Sequence, residues 1–209
     1  MTAIENIKGV ITAPKETFKN ILKADHKLII PLDIIIGVGI LKGIANYLQK
    51  QKMLETISYL RSIMATQGLT TAQEQMLTHL ASLQDVTFFD AVSYGVQSAI
   101  FGWLFLVVIY FIISRILSGK ASLKDILEVT GYARVPEIIG AVVAIFLASF
   151  NPFLISFLLL AFILWARVLD ILAIKEANDF SMRKAVGVVV IPLALYLFFT
   201  FIMFMAVGI

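Results

Sequence analysis

The sequence predicts an all-α, polytopic membrane protein with five transmembrane helices, the N-terminus cytoplasmic and the C-terminus outside. Three observations carry that prediction. Hydrophobic residues make up 60% of the 209 and charged residues only 15%, with a mean hydropathy of +0.93, against about 45–50% and about 25% in soluble domains. The apolar residues fall in runs long enough to cross a bilayer. The basic residues collect on alternate connections. This balance excludes a soluble globular domain and a disordered chain. The absence of Cys excludes thiolate metal sites, disulfides and Cys nucleophiles. His26 and His79, the two histidines, are too few for a His-based metal centre, and no cofactor is expected.

A helical pass needs about 20 mostly apolar residues. Ala91–Ser114 and Ala185–Ile209 carry no charge, and Leu28–Leu48 carries only Asp33 and Lys42. Between Glu137 and Arg167 lie 29 uncharged residues. One helix of that length would run about 43 Å, too long for a hydrocarbon core of about 30 Å. Asn151-Pro152 is a turn-favouring dipeptide that a helix seldom crosses. The reading is therefore a hairpin of Arg134–Phe150 and Phe153–Ile174, which makes five spans.

The basic residues test this independently. Lys8, Lys15, Lys19, Lys23 and Lys27 precede the first span. Arg115, Lys120, Lys124 and Arg134 follow the second, and Lys175, Arg183 and Lys184 follow the fourth. Only Lys50, Lys52 and Arg61 lie on the other side. Twelve against three meets the positive-inside rule with the N-terminus cytoplasmic. A single pass over 138–166 would have separated the second and third clusters. Residues 1–27 lack the apolar core and cleavage site of a signal peptide.

Residues 1–27 read as an amphipathic cytoplasmic tail ahead of a membrane domain over 28–209. Ile4, Ile7 and Ile11 share one helical face. Pro14 opens a second helix, where its missing N–H costs nothing. There Phe18, Ile21 and Leu22 form an apolar face flanked by Lys15, Lys19 and Lys23. Such a helix fits the lipid interface, with the Lys side chains reaching anionic head groups, or the cytoplasmic ends of the spans. Residues 49–90 read as an external helical hairpin. Met53, Ile57, Leu60 and Met64 continue the first helix, and Gln67-Gly68 stops it. A capping box at Thr71 and Glu74 opens a second helix with Met76, Leu80 and Leu83 on one face. No metal site is expected at His79. Residues 115–133 carry a further short cytoplasmic helix, with a capping box at Ser122 and Asp125 and Gly131 at its end.

Charges inside spans are expensive and are functional suspects. Five stand there: Asp33, Lys42, Glu137, Arg167 and Asp170. Asp33 and Lys42 lie on opposite sides of one helix and cannot pair; Lys42 can snorkel outward. Arg167 and Asp170 share a helix face, as do Arg134 and Glu137. Counted from the 151–152 turn, the two pairs reach one level near the cytoplasmic face, with Tyr132 and Trp165 beside them. Asp33, Tyr132, Arg134, Glu137, Trp165, Arg167 and Asp170 are thus the candidate polar cluster. It is either a self-neutralising lock or a polar cavity for an anionic head group, ion or proton. Gly39-x-x-x-Gly43 and Ser98-x-x-x-Gly102 permit close helix approach.

The segment SGKASLKDILEVTGYARVP, Ser118 to Pro136, resembles the Yip family, the Ypt/Rab-interacting membrane proteins. Its core is the step Gly131-Tyr132-Ala133-Arg134-Val135-Pro136. Pro14-Lys-Glu-Thr-Phe18 is similar to the family's N-terminal Pro-x-x-x-Phe element. Trp165, followed by Ser181 and Ala185, is similar to its tryptophan and Ser-x-x-x-Ala step. The resemblance covers nearly the whole chain except 49–90. It implies a five-span, non-enzymatic protein of membrane organisation or partner recruitment. Eukaryotic members are linked to vesicle traffic and Rab association. The short N-terminal tail is more similar to prokaryotic members, which implies a prokaryotic plasma membrane; the alternative is an ER or Golgi membrane. Nucleophile–base, phosphate-loop and metal motifs are absent. The rival reading is a small transporter or channel that uses the buried charges. A protein partner on the cytoplasmic face is expected and a nucleic-acid partner is not; the oligomeric state stays open.

The charge asymmetry gives a direct test. A topology reporter fused after Ile209 should read outside, and one inserted at Lys120 inside. Both on one side would sink the five-span arrangement.

Overall fold

The computed structural model describes residues 2–24, 28–67, 70–82, 86–147 and 152–207. Among these it is entirely helical: α1 (Ala3–Thr12), α2 (Pro14–Lys23), α3 (Ile29–Gln67), α4 (Thr71–Ser82), α5 (Phe88–Ile116), α6 (Leu123–Tyr132), α7 (Val135–Phe146), α8 (Pro152–Asn178) and α9 (Met182–Val207). Five segments are long and apolar enough to cross a membrane: Ile29–Thr66, Phe88–Ile116, Leu123–Phe146, Phe157–Asn178 and Met182–Ile202. Pro152 opens the second arm of the expected hairpin; its partner Asn151 lies outside the described residues.

The third span differs from expectation. Residues 123–132 form a short helix of their own, as expected, but it does not stand apart from the bundle. The capping box of Ser122 and Asp125 starts α6 as expected, but α6 then enters the bundle and packs on α3, α5 and α8. Pro136 lacks the N–H that would continue α6 and its ring would meet the carbonyl of Tyr132. The chain therefore turns at Ala133-Arg134 and restarts as α7, with Pro136 in the first turn. Gly131 is there for proximity rather than as a cap, since a Cβ on it would stand 2.4 Å from the Pro31 Cβ of α3.

The central contact is the crossing of α3 and α5. A Cβ on Gly95 would lie 2.4 Å from the Gly39 carbonyl oxygen, and one on Gly43 would lie 2.6 Å from Val92 Cα. The backbones touch because three glycines carry nothing between them. Gly39-x-x-x-Gly43 thus serves packing within the chain, and its partner is Gly95 rather than Ser98-x-x-x-Gly102. Gly102 faces open space.

The N-terminal helices are docked on protein. Phe18 and Ile21 are buried in a core with Val129, Tyr132, Leu169 and Ala173, and α2 lies along α8. Of the two arrangements open to α2, the apolar face thus takes the ends of the spans and not the lipid interface. Lys15, Lys19 and Lys23 stay exposed, and Lys19 lies 3.7 Å from Glu176. Val10 is buried beside them while Ile4 is exposed.

In the 49–90 segment, α3 continues to Gln67 and α4 turns back on it. The seam is narrower than the periodicity implied. Ile57 and Leu77 are buried, but Met53, Leu60 and Met76 face outward. Arg61 Nη2 donates to Thr78 Oγ1 at 2.7 Å. The capping box sits one residue earlier than expected, on Thr70 and Gln73. Leu83 lies outside the described residues. Thr87 and Asp90 cap α5 reciprocally.

The glycine crossing sets a contrast. Gly95→Ala should lower stability by about 1–3 kcal/mol through overpacking. Gly102→Ala should be neutral or gain about 0.5–1 kcal/mol from helix propensity. Thermal denaturation in detergent reads both, and a Gly95→Ala variant as stable as the parent would contradict the close crossing.

Candidate functional site

Four spans deliver charged or hydroxyl groups to one place. α3 brings Lys42, α5 brings Tyr110, the α6–α7 turn and α7 bring Arg134 and Glu137, and α8 brings Arg167 and Asp170. Arg134 Nη2 donates to both Asp170 oxygens, at 2.8 and 2.6 Å. Its Nη1 donates to Glu137 Oε1 at 3.0 Å. Arg167 Nη1 donates to Asp170 Oδ2 at 2.8 Å and to the Tyr110 hydroxyl at 3.3 Å. The Tyr110 hydroxyl in turn donates to Asp170 Oδ2 at 3.3 Å. Lys42 Nζ donates to Glu137 Oε2. Asp170 is fully buried, and the side chains of Arg134 and Glu137 are only 5% and 6% exposed.

Arg134, Glu137, Arg167 and Asp170 thus meet as the two i, i+3 pairs required. The other members need correction. Asp33 is exposed on α3, outside the cluster. Pro31, two residues earlier, is the residue that faces inward, against Gly131, and Asp33 falls on another side of the helix. Tyr132 is buried in the apolar core under α2. Trp165 stacks on Phe162, ring centroids 6.4 Å apart. Neither ring joins the ion pairs. Lys42 does not snorkel outward but turns in to Glu137. Tyr110 was hidden by its apolar run, Val107 to Ile113. Its signal was a phenol in a lipid-spanning helix, which needs a partner for its O–H.

The cluster has a definite place along the helices. With α6 and α7 forming one bent span, Arg134 stands near the middle of Leu123–Phe146 and Arg167 near the middle of Phe157–Asn178.

Two cavities flank the Lys42–Glu137 pair. One, of about 180 Å³, lies between α3, α5, α7 and α8 and is bordered by Lys42, Glu137, Arg134, Arg167, Ser98 and Gly102. The other, of about 130 Å³, is mostly apolar, with Asn46 and Gln49 at its polar side. α5 and α8 share no packed helix interface beside the first cavity and meet at Tyr110. Arg167 is 25% and Lys42 39% exposed, so the cluster is sealed at Asp170 and open at these two cations. Among the described residues no group of His, Asp and Glu could hold a metal ion.

No curated protein and no solved structure matches the chain significantly. A family model described as the Yip1 domain matches residues 8–204. The match takes in the Pro14–Phe18 element, the bent third span with its Gly131-Tyr132-Ala133 step, and the whole charge cluster. It also spans α4, which the motifs alone left out. The chain is an integral membrane protein that belongs to the Yip1 domain family.

Proposed function

We propose that this protein is a non-enzymatic membrane organiser or adaptor. In this reading the charge cluster locks the bundle, and the face carrying α1, α2 and the 117–122 turn recruits a protein partner from the cytoplasm. The observation that carries it is the saturation of the buried acids. Asp170 accepts from Arg134, Arg167 and Tyr110, and Glu137 accepts from Arg134 and Lys42. A proton or cation relay needs an acid able to change partners, whereas these carboxylates are held from several sides. The 49–90 segment is an external hairpin insertion on this view, and the membrane is a prokaryotic plasma membrane.

A second reading, a small transporter or channel for an ion, proton or anionic solute, is favoured by the mid-span cavity beside Lys42 and Arg167. Flux decides between the two. Chain reconstituted in liposomes should pass neither protons nor anions faster than protein-free vesicles. A photo-crosslinker at Lys15 or Lys23 should give discrete protein adducts in cells, and one at the outward-facing Phe101 should not. Flux that Lys42→Leu abolishes would establish the transporter instead.

The lock has its own test. Breaking a buried ion pair costs about 3–5 kcal/mol, because it strands the surviving charge. Arg134→Leu and Asp170→Leu should each lose about that much. The double variant should recover a large part, since both charges leave together. Single variants as stable as the parent would remove the locking role.

A further inference from the structure

The cluster holds three cations, Lys42, Arg134 and Arg167, against two carboxylates, Glu137 and Asp170. One positive charge is in excess at mid-span, where an uncompensated ion is costly. The excess faces the larger cavity. Arg134 holds both carboxylates, but Arg167 Nη2 is 3.6 Å from Glu137, past hydrogen-bond range, and Lys42 keeps further N–H donors beyond its bond to Glu137. Both border the cavity. Its volume of about 180 Å³ is room for about six waters, or for a small oxyanion with part of its hydration. The mouth is lateral. Ser98 and Gly102 are exposed on α5, Gly102 is the midpoint of Phe88–Ile116, and Phe101 and Phe105 beside it face outward as lipid-facing residues do. The cavity is therefore entered from the bilayer and not from water.

We propose that this cavity holds the anionic head of one membrane lipid, a phosphate or carboxylate, between Lys42 and Arg167, with its tail leaving between α5 and α8. The lipid supplies the missing negative charge, and its chain stays in the hydrocarbon. The site stands independently of the adaptor reading, which can fail without it.

The full chain, purified in neutral detergent, is titrated with phosphatidylglycerol, oleate, phosphatidylcholine and inorganic phosphate, and its thermal midpoint followed. Phosphatidylglycerol or oleate should raise the midpoint saturably, by about 5 °C, and the two arms tell phosphate from carboxylate. Phosphatidylcholine and inorganic phosphate should do little. Gly102→Leu should fold, because nothing lies within 4 Å of its Cβ position, yet fill the cavity and lose the shift. Gly37→Leu, equally open in α3 but on a face that does not line the cavity, should keep it. Lys42→Gln should weaken the apparent affinity about tenfold. The proposal is overturned by a shift with phosphatidylcholine as large as with phosphatidylglycerol, by inorganic phosphate alone matching the lipid, or by the absence of a shift with either anionic lipid. Full retention of the shift in both Gly102→Leu and Lys42→Gln overturns it as well.

Discussion

The hold of Arg134 on Asp170 and Glu137 is the contact on which the rest of the bundle depends. A guanidinium buried at mid-span, its side chain only 5% exposed, is tolerable only with carboxylates on two sides. That requirement fixes where α8 can lie against α7, because Asp170 must present both oxygens to Nη2. It then draws in α3 through Lys42 and α5 through Tyr110. Four of the five spans are registered along their length by polar contacts. Lipid gives no comparable force, since apolar side chains gain little by leaving hydrocarbon for protein. Among the described residues α9 sends no side chain to the cluster. It packs on α8 and more lightly on α5, and Phe198, Phe199 and Phe201 in its far half face outward.

Small residues make the polar contacts reachable. Lys42 lies between Gly39 and Gly43, on the stretch of α3 pressed against α5 at Gly95. Gly131 lets α6 settle on Pro31, and Gly140 lets α7 settle on α8, since a Cβ there would stand 2.9 Å from the Phe162 side chain. Each close approach shortens the span a side chain must cover to reach a partner on the next helix. A second set of polar ties holds one end of the bundle. Asn178 accepts from the Ala121 amide and donates to Ser114 and to the Ile174 carbonyl. Nearer the middle of α5, Trp103 Nε1 donates to Thr130 at 3.0 Å. Packing of glycine on backbone and pairing of polar groups are thus complementary uses of the same helix faces.

Much of this was legible in the sequence, for identifiable reasons. Hydropathy and charge asymmetry show the spans, because a bilayer imposes length and composition on every segment that crosses it. The i, i+3 spacing of Arg134 with Glu137 and of Arg167 with Asp170 showed that each pair shares a face, and the hairpin brought the faces to one level. Asp33 and Lys42 were misassigned because a helical wheel gives the angle between two residues but not which of them points inward. Pro31 on Gly131 decides that, and the contact is long-range. The apolar face of α2 read the same for lipid as for protein, since both accept Phe18 and Ile21. Only the location of a matching core under α6 and α8 separates the two. α6 misled because Lys124, Asp125 and Glu128 look like a solvated helix, while Glu128 is in fact carried into the interior together with Ile126, Val129 and Thr130.

The break in the third span ties these features together. Pro136 ends α6 and starts α7 within the membrane-spanning segment, and backbone freed by such a break must be satisfied inside the protein. Here it is done locally. The Arg134 amide donates to the Gly131 carbonyl, and the Glu137 amide to the Arg134 carbonyl. The turn is therefore self-contained and leaves the side chains of Arg134 and Glu137 free to face α8 and α3. The new helix N-terminus also favours a negative group in its first turn, which Glu137 supplies. Arg134, just before that terminus, is opposed by the same dipole and relies on the two carboxylates instead. A straight third helix would have no turn to place the two charges and no second N-terminus to favour Glu137. The proline in the Gly-Tyr-Ala-x-x-Pro step is thus physically linked to the cluster: it makes the bend, the bend places Arg134 and Glu137, and those two residues gather the other spans.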